Sequence, residues 1–396
     1  QEALEGNGDL PGLVNLGGKG YLTQLAKETP SVANIESYAE IIKQRSNLRR
    51  LITTVDQIAQ NARESDSSGS EQIIDHAEES ILSLRDDAKR SSGPKGIREL
   101  LGPVYSHIQE ANESGDSLVG VSTGFTEIDE ITLGFQKSDL IIIAGRPSMG
   151  KTALAFNIAE NVARQTDQTV LIFSMEMSAE QVVRRFISSI ANIDLQRLMR
   201  GQLQDNDWEG IDKALSILSS KKILLDDTPA LSPTELRSRA RRVKREDKDL
   251  AMIIVDYIGL MQVHGRSDNR VQEISEISRS LKALAKELDV PIVAISQLNR
   301  AVESRPNKRP ILADLRDSGA IEQDADVIAF LYRHEYYDRN DLENKGKAEI
   351  NIAKQRNGPT RTTSLAFRAS VAKFENLARE ERYPPQYYED EGSEDN

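Results

Sequence analysis

The sequence of 396 residues contains no cysteine and only four histidines, and these two shortages narrow the chemistry available to the chain. Without cysteine there is no disulfide, no thiolate ligand for a metal and no Cys nucleophile. The histidines, at positions 76, 107, 264 and 334, are scattered, which argues against a zinc site. Chemistry must therefore be carried by hydroxyl, carboxylate, amide and cationic side chains.

Long apolar runs and an excess of positive charge are also absent. No run approaches the roughly 20 residues that a membrane helix needs, and the chain opens on Gln1-Glu2 without a basic, apolar leader. We therefore expect a cytoplasmic protein with no membrane partner, whose true N-terminus is missing. A net charge of −12 argues against a basic nucleic-acid coat protein. A narrow nucleic-acid channel stays compatible with this charge, because local charge decides there.

The first third of the chain has helical periodicity. Apolar residues recurring every three to four positions predict a helical hairpin over about 34–90, the C-terminal part of a helical domain at 1–91. The apolar stripes of the hairpin either bury each other or pack against another subunit, and the sequence favours neither arrangement. A linker is predicted at 92–120, with an amphipathic helix at about 97–111 that is suited to docking on a neighbour. The acidic tail at 377–396 is expected to be disordered.

Residues 121–376 alternate between short β-rich runs and helical stretches, which predicts an α/β fold with a mostly parallel central sheet. Runs such as Ile141-Ile142-Ile143 are apolar throughout, as expected for strands buried on both faces. The last runs lie close together and indicate hairpins at a sheet edge. Strands are predicted at 140–144, 169–174, 223–225, 251–255, 291–296, 327–332, 349–353 and 362–367.

A phosphate-binding loop follows the first predicted strand. It consists of Gly145, Arg146, Pro147, Ser148, Met149, Gly150, Lys151 and Thr152, which fit the pattern G-x-x-x-x-G-K-[ST]. In this pattern glycines let backbone N–H groups turn toward phosphate oxygens. Lys151 then reaches the β- and γ-phosphates of ATP, and the Thr152 hydroxyl binds Mg²⁺. The alternative, a mere Gly-rich turn, is disfavoured by the buried strand before the loop and by the predicted helix after it, whose N-terminus attracts anions.

Two acidic residues end other buried strands. Asp256 follows the run 251–255, and strand carboxyl ends line the ligand crevice of a parallel sheet, so we predict that Asp256 holds Mg²⁺ through water. Many ATPases place a Glu next, but the residue here is Tyr257. Glu176, after the run 169–174, is therefore the candidate general base. Its alternative role is that of an acid at the start of the following helix.

Polar residues at three later positions complete the candidate site. Gln297 follows the predicted strand 291–296 and is placed to sense a γ-phosphate. Lys354 and Arg356 stand beside Asn357-Gly358, a pair that predicts a tight hairpin turn. Cations at such a tip are either solvated or act as fingers that reach the ATP of a neighbouring subunit.

Taken together, these segments resemble the bacterial replicative DNA helicases of the DnaB type, which have a RecA-like motor. The resemblance runs from about Tyr21 to Asn376. The segments that carry it are 122–129, 145–152, 237–242, 276–286, 296–300, 314–326 and 354–359.

The resemblance implies a RecA-like P-loop ATPase that unwinds DNA as a homohexamer around single-stranded DNA. It further implies ATP sites between subunits, movement toward the 3′ end of the bound strand, and primase and a helicase loader as partners. Matched by position, Lys151, Thr152 and Asp256 serve nucleotide and Mg²⁺, Glu176 is the catalytic acid, Gln297 senses the γ-phosphate, Lys354 and Arg356 act in trans, and Arg300, Arg316, Asp317 and Gly319 contact the DNA backbone. Without the resemblance, 314–326 is an ordinary polar loop.

The chain departs from the family in three places. The N-terminal helical portion looks truncated, Ile258-Gly259 stands where the family has Leu-Gln, and residues 368–372 replace an Asn-Gly turn, so the last strand is expected to be built differently. A basic cluster at 237–245 is a DNA patch, a subunit contact or a solvated face. Two rival functions stay open at this point: a RecA-like ATPase of recombination or signalling, and a scaffold that binds nucleotide without turnover.

If the amphipathic helix docks on a neighbouring subunit, deletion of residues 97–111 should lower the mass of the oligomer. Light scattering of the full chain and of the deletion variant measures this mass. An unchanged mass would refute the docking role.

Overall fold

The computed structural model describes residues 35–64, 96–114, 118–263 and 270–377, together with the single positions 73, 77, 80 and 81. The predictions for the residues before 35, for most of the hairpin after 64 and for the acidic tail lie outside these residues. The chain separates into two compact units, Gln1–Val104 and Tyr105–Asn396, and each is described by itself.

Two helices precede the α/β part. Helix α1 spans Ile35–Glu64 and helix α2 spans Ile97–Ser114. Both leave apolar side chains exposed, including Leu51, Ile52 and Val55 on α1 and Leu101, Val104 and Ile108 on α2. Exposed apolar side chains at helical spacing are common on interaction surfaces.

A nine-stranded sheet forms the centre of the second unit. Its strands are β1 Leu140–Gly145, β2 Thr169–Ser174, β3 Ile223–Asp226, β4 Leu250–Asp256, β5 Ile292–Gln297, β6 Val327–Tyr332, β7 Lys347–Gln355, β8 Arg361–Arg368 and β9 Lys373–Asn376. Their order is β3-β2-β4-β5-β1-β6-β7-β8-β9. Strands β1 to β6 pair in parallel, and β6 to β9 pair antiparallel. The predicted mostly parallel α/β fold is confirmed.

Helices cover both faces of this sheet, which explains why its central strands are apolar throughout. On β1, Leu140, Ile142 and Ala144 belong to one hydrophobic core, whereas Ile141 and Ile143 belong to the other. The helices of this unit are α3 Thr126–Thr132, α4 Lys151–Gln165, α5 Ala179–Ala191, α6 Leu195–Arg200, α7 Asp205–Ser219, α8 Pro233–Glu246, α9 Arg270–Leu288, α10 Gly319–Asp324 and α11 His334–Tyr337.

The segment 122–129, which carries part of the family resemblance, has a structural task. The buried carboxylate of Asp129 accepts hydrogen bonds from the Ser122 hydroxyl and from the amide and hydroxyl of Thr123, each at 2.8 Å. Three donors hold the chain that enters the domain against α3. Such charge-assisted bonds are stronger than neutral ones.

Two local expectations need correction or refinement. The β7–β8 hairpin exists, but its connection runs from 356 to 360, so Asn357-Gly358 does not form the tight turn expected of this pair. Neither residue has the positive φ that a two-residue turn of that type requires. At the end of the domain, a 3-10 turn at Ala369–Val371 leads into β9, with Ala372 at φ 50°.

Candidate functional site

The phosphate-binding loop connects the central strand β1 to helix α4. Ser148 and Gly150 have φ values of 65° and 102°. A Cβ atom at Gly150 would lie 3.1 Å from Cζ of Phe374, so both backbone conformation and space favour glycine there. The ammonium of Lys151 donates to the carbonyl of Arg146 at 3.0 Å. The loop is thus closed on itself at the N-terminus of α4.

The two predicted acids converge on this loop because β2 and β4 are neighbours. Ser174 pairs with Asp256, and the amide of Met175 donates to the carbonyl of Asp256 at 2.8 Å. Glu176 follows at the exposed end of β2. Burial raises the pKa of Asp256 from 3.8 to about 6; the Thr152 hydroxyl and the cations of Lys151 and Arg185 oppose this rise, and Glu176 adds to it.

Lys151 is perturbed by the same surroundings. Burial lowers the pKa of its ammonium from 10.5 to about 8, while Asp256 and Glu176 act in the opposite direction. The three side chains are therefore within electrostatic reach of one another in a site of low water content. Such mutual perturbation is typical of functional sites.

Asp256 also meets the requirement for a cation ligand. Both of its carboxylate oxygens are buried, and neither receives a hydrogen bond of regular geometry within the described residues, although the Thr152 hydroxyl is near enough to lower the pKa. Among these residues no three His, Asp or Glu side chains come together as a metal cluster. One carboxylate and one hydroxyl suit a metal ion whose other ligands are phosphates and water, as is usual for Mg²⁺.

Gln297 joins the loop through strand pairing. It lies opposite Gly145 in the β1–β5 register, and the next residue, Leu298, donates its amide to the carbonyl of Gly145 at 3.3 Å. The side chain of Arg146 is buried and bonded to the carbonyl of Leu298 at 2.8 Å and to Glu303 at 2.9 Å. Only the backbone of Arg146 is thus available to a phosphate.

The predicted fingers are not part of this cluster. Lys354 and Arg356 lie where the parallel strands begin, which we call the amino edge, because β7 ends there beside the start of β6. The phosphate-binding loop lies where the parallel strands end, which we call the carboxyl edge. The ammonium of Lys354 donates to the carbonyls of Glu322 and Ala325, the latter at 2.7 Å. Arg356 donates to the carbonyl of Gln323 at 2.8 Å and pairs with Asp326 at 3.3 Å, so both cations cap the C-terminal end of α10.

The predicted DNA contacts lie on two adjoining segments. Arg300 opens a 3-10 helix at Arg300–Ser304, and Gly319 opens α10 after a second 3-10 helix at Leu312–Ser318; both residues are exposed. The side chains of Arg316 and Asp317 lie outside the described residues, so their role stays a prediction.

Family models match most of this chain. A family model described as DnaB-like helicase C terminal domain matches residues 120–376, and one described as DnaB-like helicase N terminal domain matches residues 2–44. The replicative DNA helicase DnaC of Bacillus subtilis (strain 168) is 49% identical over 368 residues, which cover 93% of this chain and 80% of that protein. The replicative DNA helicase DnaB of Geobacillus stearothermophilus is 48% identical over 379 residues, with coverage of 94% and 82%.

The chain belongs to the DnaB-like replicative helicase family. A solved structure described as a DnaB-like replicative helicase and its interactions with primase has a TM-score of 0.76 and 36% identity, and covers 95% of this chain and 86% of its own. Another, described as an ATPase domain, has a TM-score of 0.68 and 39% identity, and covers 72% and 100%. The RecA-like fold expected from the resemblance is thereby confirmed. Membership of this helicase family also implies an activity that depends on nucleotide.

Sequence reasoning missed one residue of this helicase site, Arg185 on α5. Burial lowers the pKa of its guanidinium, and Asp256 and Glu176 counteract that effect, so the cation is within electrostatic range of both acids. A signal was available: Arg185 falls within the buried stripe of Val182, Phe186 and Ser189, where a charge is out of place. The same helix is capped by Ser178, so Glu176 is neither its cap nor part of its first turn.

The basic cluster at 237–245 is largely neutralised within the domain. Arg237 and Arg241 both pair with Glu287 on α9, and Arg239 pairs with Asp226 at 2.7 Å. Arg242 forms an exposed pair with Glu246. The cluster therefore joins α8 to its own domain, which weighs against a free DNA patch.

A cavity of about 330 Å³ opens beside the phosphate-binding loop. Its lining includes Arg333, Glu335 and Lys345. Arg333 donates to the carbonyl of Ser148 at 3.3 Å and lies over the ring of Phe367, with 4.3 Å from its Cζ to the ring centroid. Arg333 thus connects the lining of this cavity to the phosphate-binding loop.

The raised pKa of Asp256 predicts a pH-dependent stability. The pKa of this carboxyl is about 6 in the folded protein and 3.8 in the unfolded chain. Its contribution to the free energy of unfolding is therefore complete below about pH 4 and is lost as pH rises through 6. Asp256→Asn should therefore raise the free energy of unfolding of the nucleotide-free and metal-free protein by about 1–3 kcal/mol at pH 8, and by little at pH 4. Urea unfolding at both pH values measures this difference.

Asp212→Asn is the control for this measurement, because Asp212 is exposed on α7. Its effect should be the same at both pH values. An Asp256→Asn effect equally independent of pH would contradict the assignment.

Proposed function

We propose that this replicative helicase encircles single-stranded DNA as a homohexamer, hydrolyses ATP with Mg²⁺, and moves from 5′ to 3′ along the bound strand to unwind the replication fork. The observation that carries the proposal is that the predicted ATPase residues lie in two groups, one at the carboxyl edge of the sheet and one at the amino edge. Lys151, Asp256 and Glu176 gather at the carboxyl edge, and Lys354 and Arg356 lie at the other. Neither group is a complete ATPase site.

The chemistry at the carboxyl edge suits hydrolysis of ATP. Lys151 would bind the β- and γ-phosphates, and Thr152 and Asp256 would hold Mg²⁺, whose charge offsets that of the phosphates. Glu176 would take a proton from the water that attacks the γ-phosphorus, and ADP would leave with the bond electrons. Gln297, exposed at the end of β5, would contact the γ-phosphate.

Arg185 would complete this set. Its guanidinium is within electrostatic range of Asp256 and Glu176, near which negative charge would develop on the transferred group. A partly buried cation there stabilises such charge more than one in water does. We propose that Arg185 orients Glu176 and contacts the phosphate in the transition state.

Strand geometry supports the proposal that Lys354 and Arg356 act in trans. Strand β1 has six residues, so the two sheet edges are about 20 Å apart at 3.3 Å per residue. Arg356 lies at the amino edge and cannot span that distance to the nucleotide of its own subunit. A ring in which the amino edge of one subunit faces the carboxyl edge of the next supplies Lys354 and Arg356 to each site.

The DNA would be held by the two segments that contain Arg300 and Gly319. Gly319 has an ordinary helical φ of −53°, and a Cβ there would meet none of the described atoms within 4 Å. The fold therefore does not need glycine at this helix start. Close approach of a phosphate to the Gly319 amide supplies a reason for it, with Arg300, Arg316 and Asp317 alongside.

The helical unit and α2 would serve assembly. We propose that α2 docks its exposed Leu101 and Ile108 onto a neighbouring subunit. A solved family structure is described with its interactions with primase, so we propose primase as a partner. The family resemblance makes the helical N-terminal unit the candidate surface for it. A loader would act on the ring in the cytoplasm, where bacterial DNA lies. Among the described residues no helix has the length and apolarity needed to cross a bilayer.

The recombination alternative is disfavoured, because the replicative helicases match 93–94% of this chain. Strand displacement on forked duplexes with either a 5′ or a 3′ loading tail tests the proposal directly. Unwinding should require ATP, Mg²⁺ and the 5′ tail, and Lys151→Ala should abolish it. Turnover of ATP without displacement, or a requirement for the 3′ tail, would refute the proposed activity or its polarity.

The trans role of Arg356 predicts a specific defect. Arg356→Ala should keep nucleotide affinity within about twofold but lower ATP turnover by about 10³-fold, because the missing charge acts on the transition state. Arg361→Ala, across the same turn, removes another exposed cation and should leave turnover unchanged.

Mixed rings separate trans from cis action. Adding Glu176→Gln subunits to Arg356→Ala subunits should restore part of the turnover, because some interfaces then combine an intact Glu176 with an intact Arg356. Turnover that stays absent in every mixture, or Arg356→Ala rings that hydrolyse normally, would exclude the trans role.

A further inference from the structure

The phosphate-binding loop is joined to both predicted DNA segments by polar contacts and the short stretches of chain between them. We call this connection the polar bridge; it consists of Arg146, Leu298, Glu303, Arg305 and Asp314. We propose that the polar bridge transmits the nucleotide state to the DNA segments of the same subunit, and that Glu303 and Arg305 are positioning residues for this coupling. The inference rests on the proposed function, because it takes Arg300, Arg316, Asp317 and Gly319 as DNA contacts.

The first link is Leu298, the residue after Gln297, whose backbone amide and carbonyl are both bonded to the phosphate-binding loop. The amide of Leu298 donates to the carbonyl of Gly145 at 3.3 Å, and its carbonyl accepts from the Arg146 guanidinium at 2.8 Å. Leu298 is itself buried. Any shift of the loop on phosphate binding is therefore passed directly to the residue after Gln297.

The second link carries the connection across the 3-10 helix that starts at Arg300. The Arg146 guanidinium pairs with Glu303 at 2.9 Å, and only 8% of the Arg146 side chain is exposed. Arg146 thus grips this helix at Leu298 before it and at Glu303 within it. A rigid planar fork with two fixed partners orients the segment instead of merely attracting it.

The third link reaches the second DNA segment. Arg305 donates to the buried carboxylate of Asp314 at 2.7 Å, and the amide of Asn299 donates to the carbonyl of Asp314 at 3.2 Å. Asp314 also accepts from the amide of Ile311 at 2.8 Å, which anchors the start of the 3-10 helix 312–318. That helix runs directly into Gly319.

Together the links make the two DNA segments and the loop a single mechanical unit. Each contact is a charge-assisted or backbone hydrogen bond, Glu303 is connected to Arg305 through the chain itself, and the key groups of Arg146, Leu298 and Asp314 are buried. Stretching bonds of this kind costs free energy, so they resist small displacements. Because coupling between two ligand sites is reciprocal, DNA binding should in turn alter nucleotide binding through the same contacts.

The test measures coupling itself on the assembled protein. The affinity for a fluorescent oligodeoxythymidylate is determined by anisotropy with a nonhydrolysable ATP analogue and with ADP, and their ratio is the coupling. Glu303→Gln and Arg305→Met should each bring this ratio about three- to tenfold closer to one. ATP turnover without DNA should stay within about twofold, since neither side chain belongs to the phosphate cradle or the DNA contacts.

Two further variants distinguish positioning from simple destabilisation. Arg305→Lys keeps the cation near Asp314 and should retain most of the coupling. Glu246→Gln removes one partner of the exposed Arg242–Glu246 pair on α8, far along the chain, and should leave the ratio unchanged. The double variant Glu303→Gln/Arg305→Met should lose little more coupling than either single variant, because both break one path.

An unchanged ratio in Glu303→Gln and Arg305→Met would overturn the inference while leaving the helicase function intact. A fall in DNA affinity by the same factor in both nucleotide states would also overturn it, because it would indicate lost DNA binding without lost coupling. A wild-type ratio of one would instead contradict the proposed function, and the inference with it.

Discussion

The parallel pairing of β2, β4, β5 and β1 is the constraint on which the rest of this helicase depends. Parallel strands end at the same edge, so residues far apart in sequence arrive together wherever neighbouring strands stop. The Ser174–Asp256 and Gly145–Gln297 registers place an acid and an amide next to the phosphate-binding loop. A slip of one residue in either pairing would turn these side chains into the core.

Burial gives this edge its chemical character. Asp256 and Lys151 sit where water is scarce, and their pKa values move toward each other, to about 6 and about 8. Charged groups held in such a place are less stable than in water until a ligand of opposite charge arrives. Nucleotide and metal would relieve that instability. The burial that lowers the stability of the empty protein would therefore favour the binding of polyphosphate.

The same sheet also keeps the two groups of the proposed ATPase site apart within one subunit. Lys354 and Arg356 are tied to α10 at the amino edge, and α10 begins at Gly319. The polar bridge reaches Gly319 from the opposite direction, through Asp314. One short helix is thus placed between the nucleotide of its own subunit and the fingers that would serve a neighbour, a position from which DNA movement and ATP chemistry can influence each other.

The sequence by itself determined what local patterns can encode. The phosphate-binding loop follows from glycine spacing, the buried strands follow from apolar runs, and Asp256 and Glu176 follow from their positions at strand ends, because each depends on neighbours within about ten residues. The tertiary structure alone decided the rest. Helix packing brings Arg185 within electrostatic range of the acids, Arg237 and Arg241 pair with Glu287, and Arg146 bonds to Leu298 and Glu303. Lys354 and Arg356 lie at the other end of the parallel strands from the phosphate-binding loop. These outcomes depend on which strands and helices become neighbours, and that is set by long-range packing that no local pattern contains.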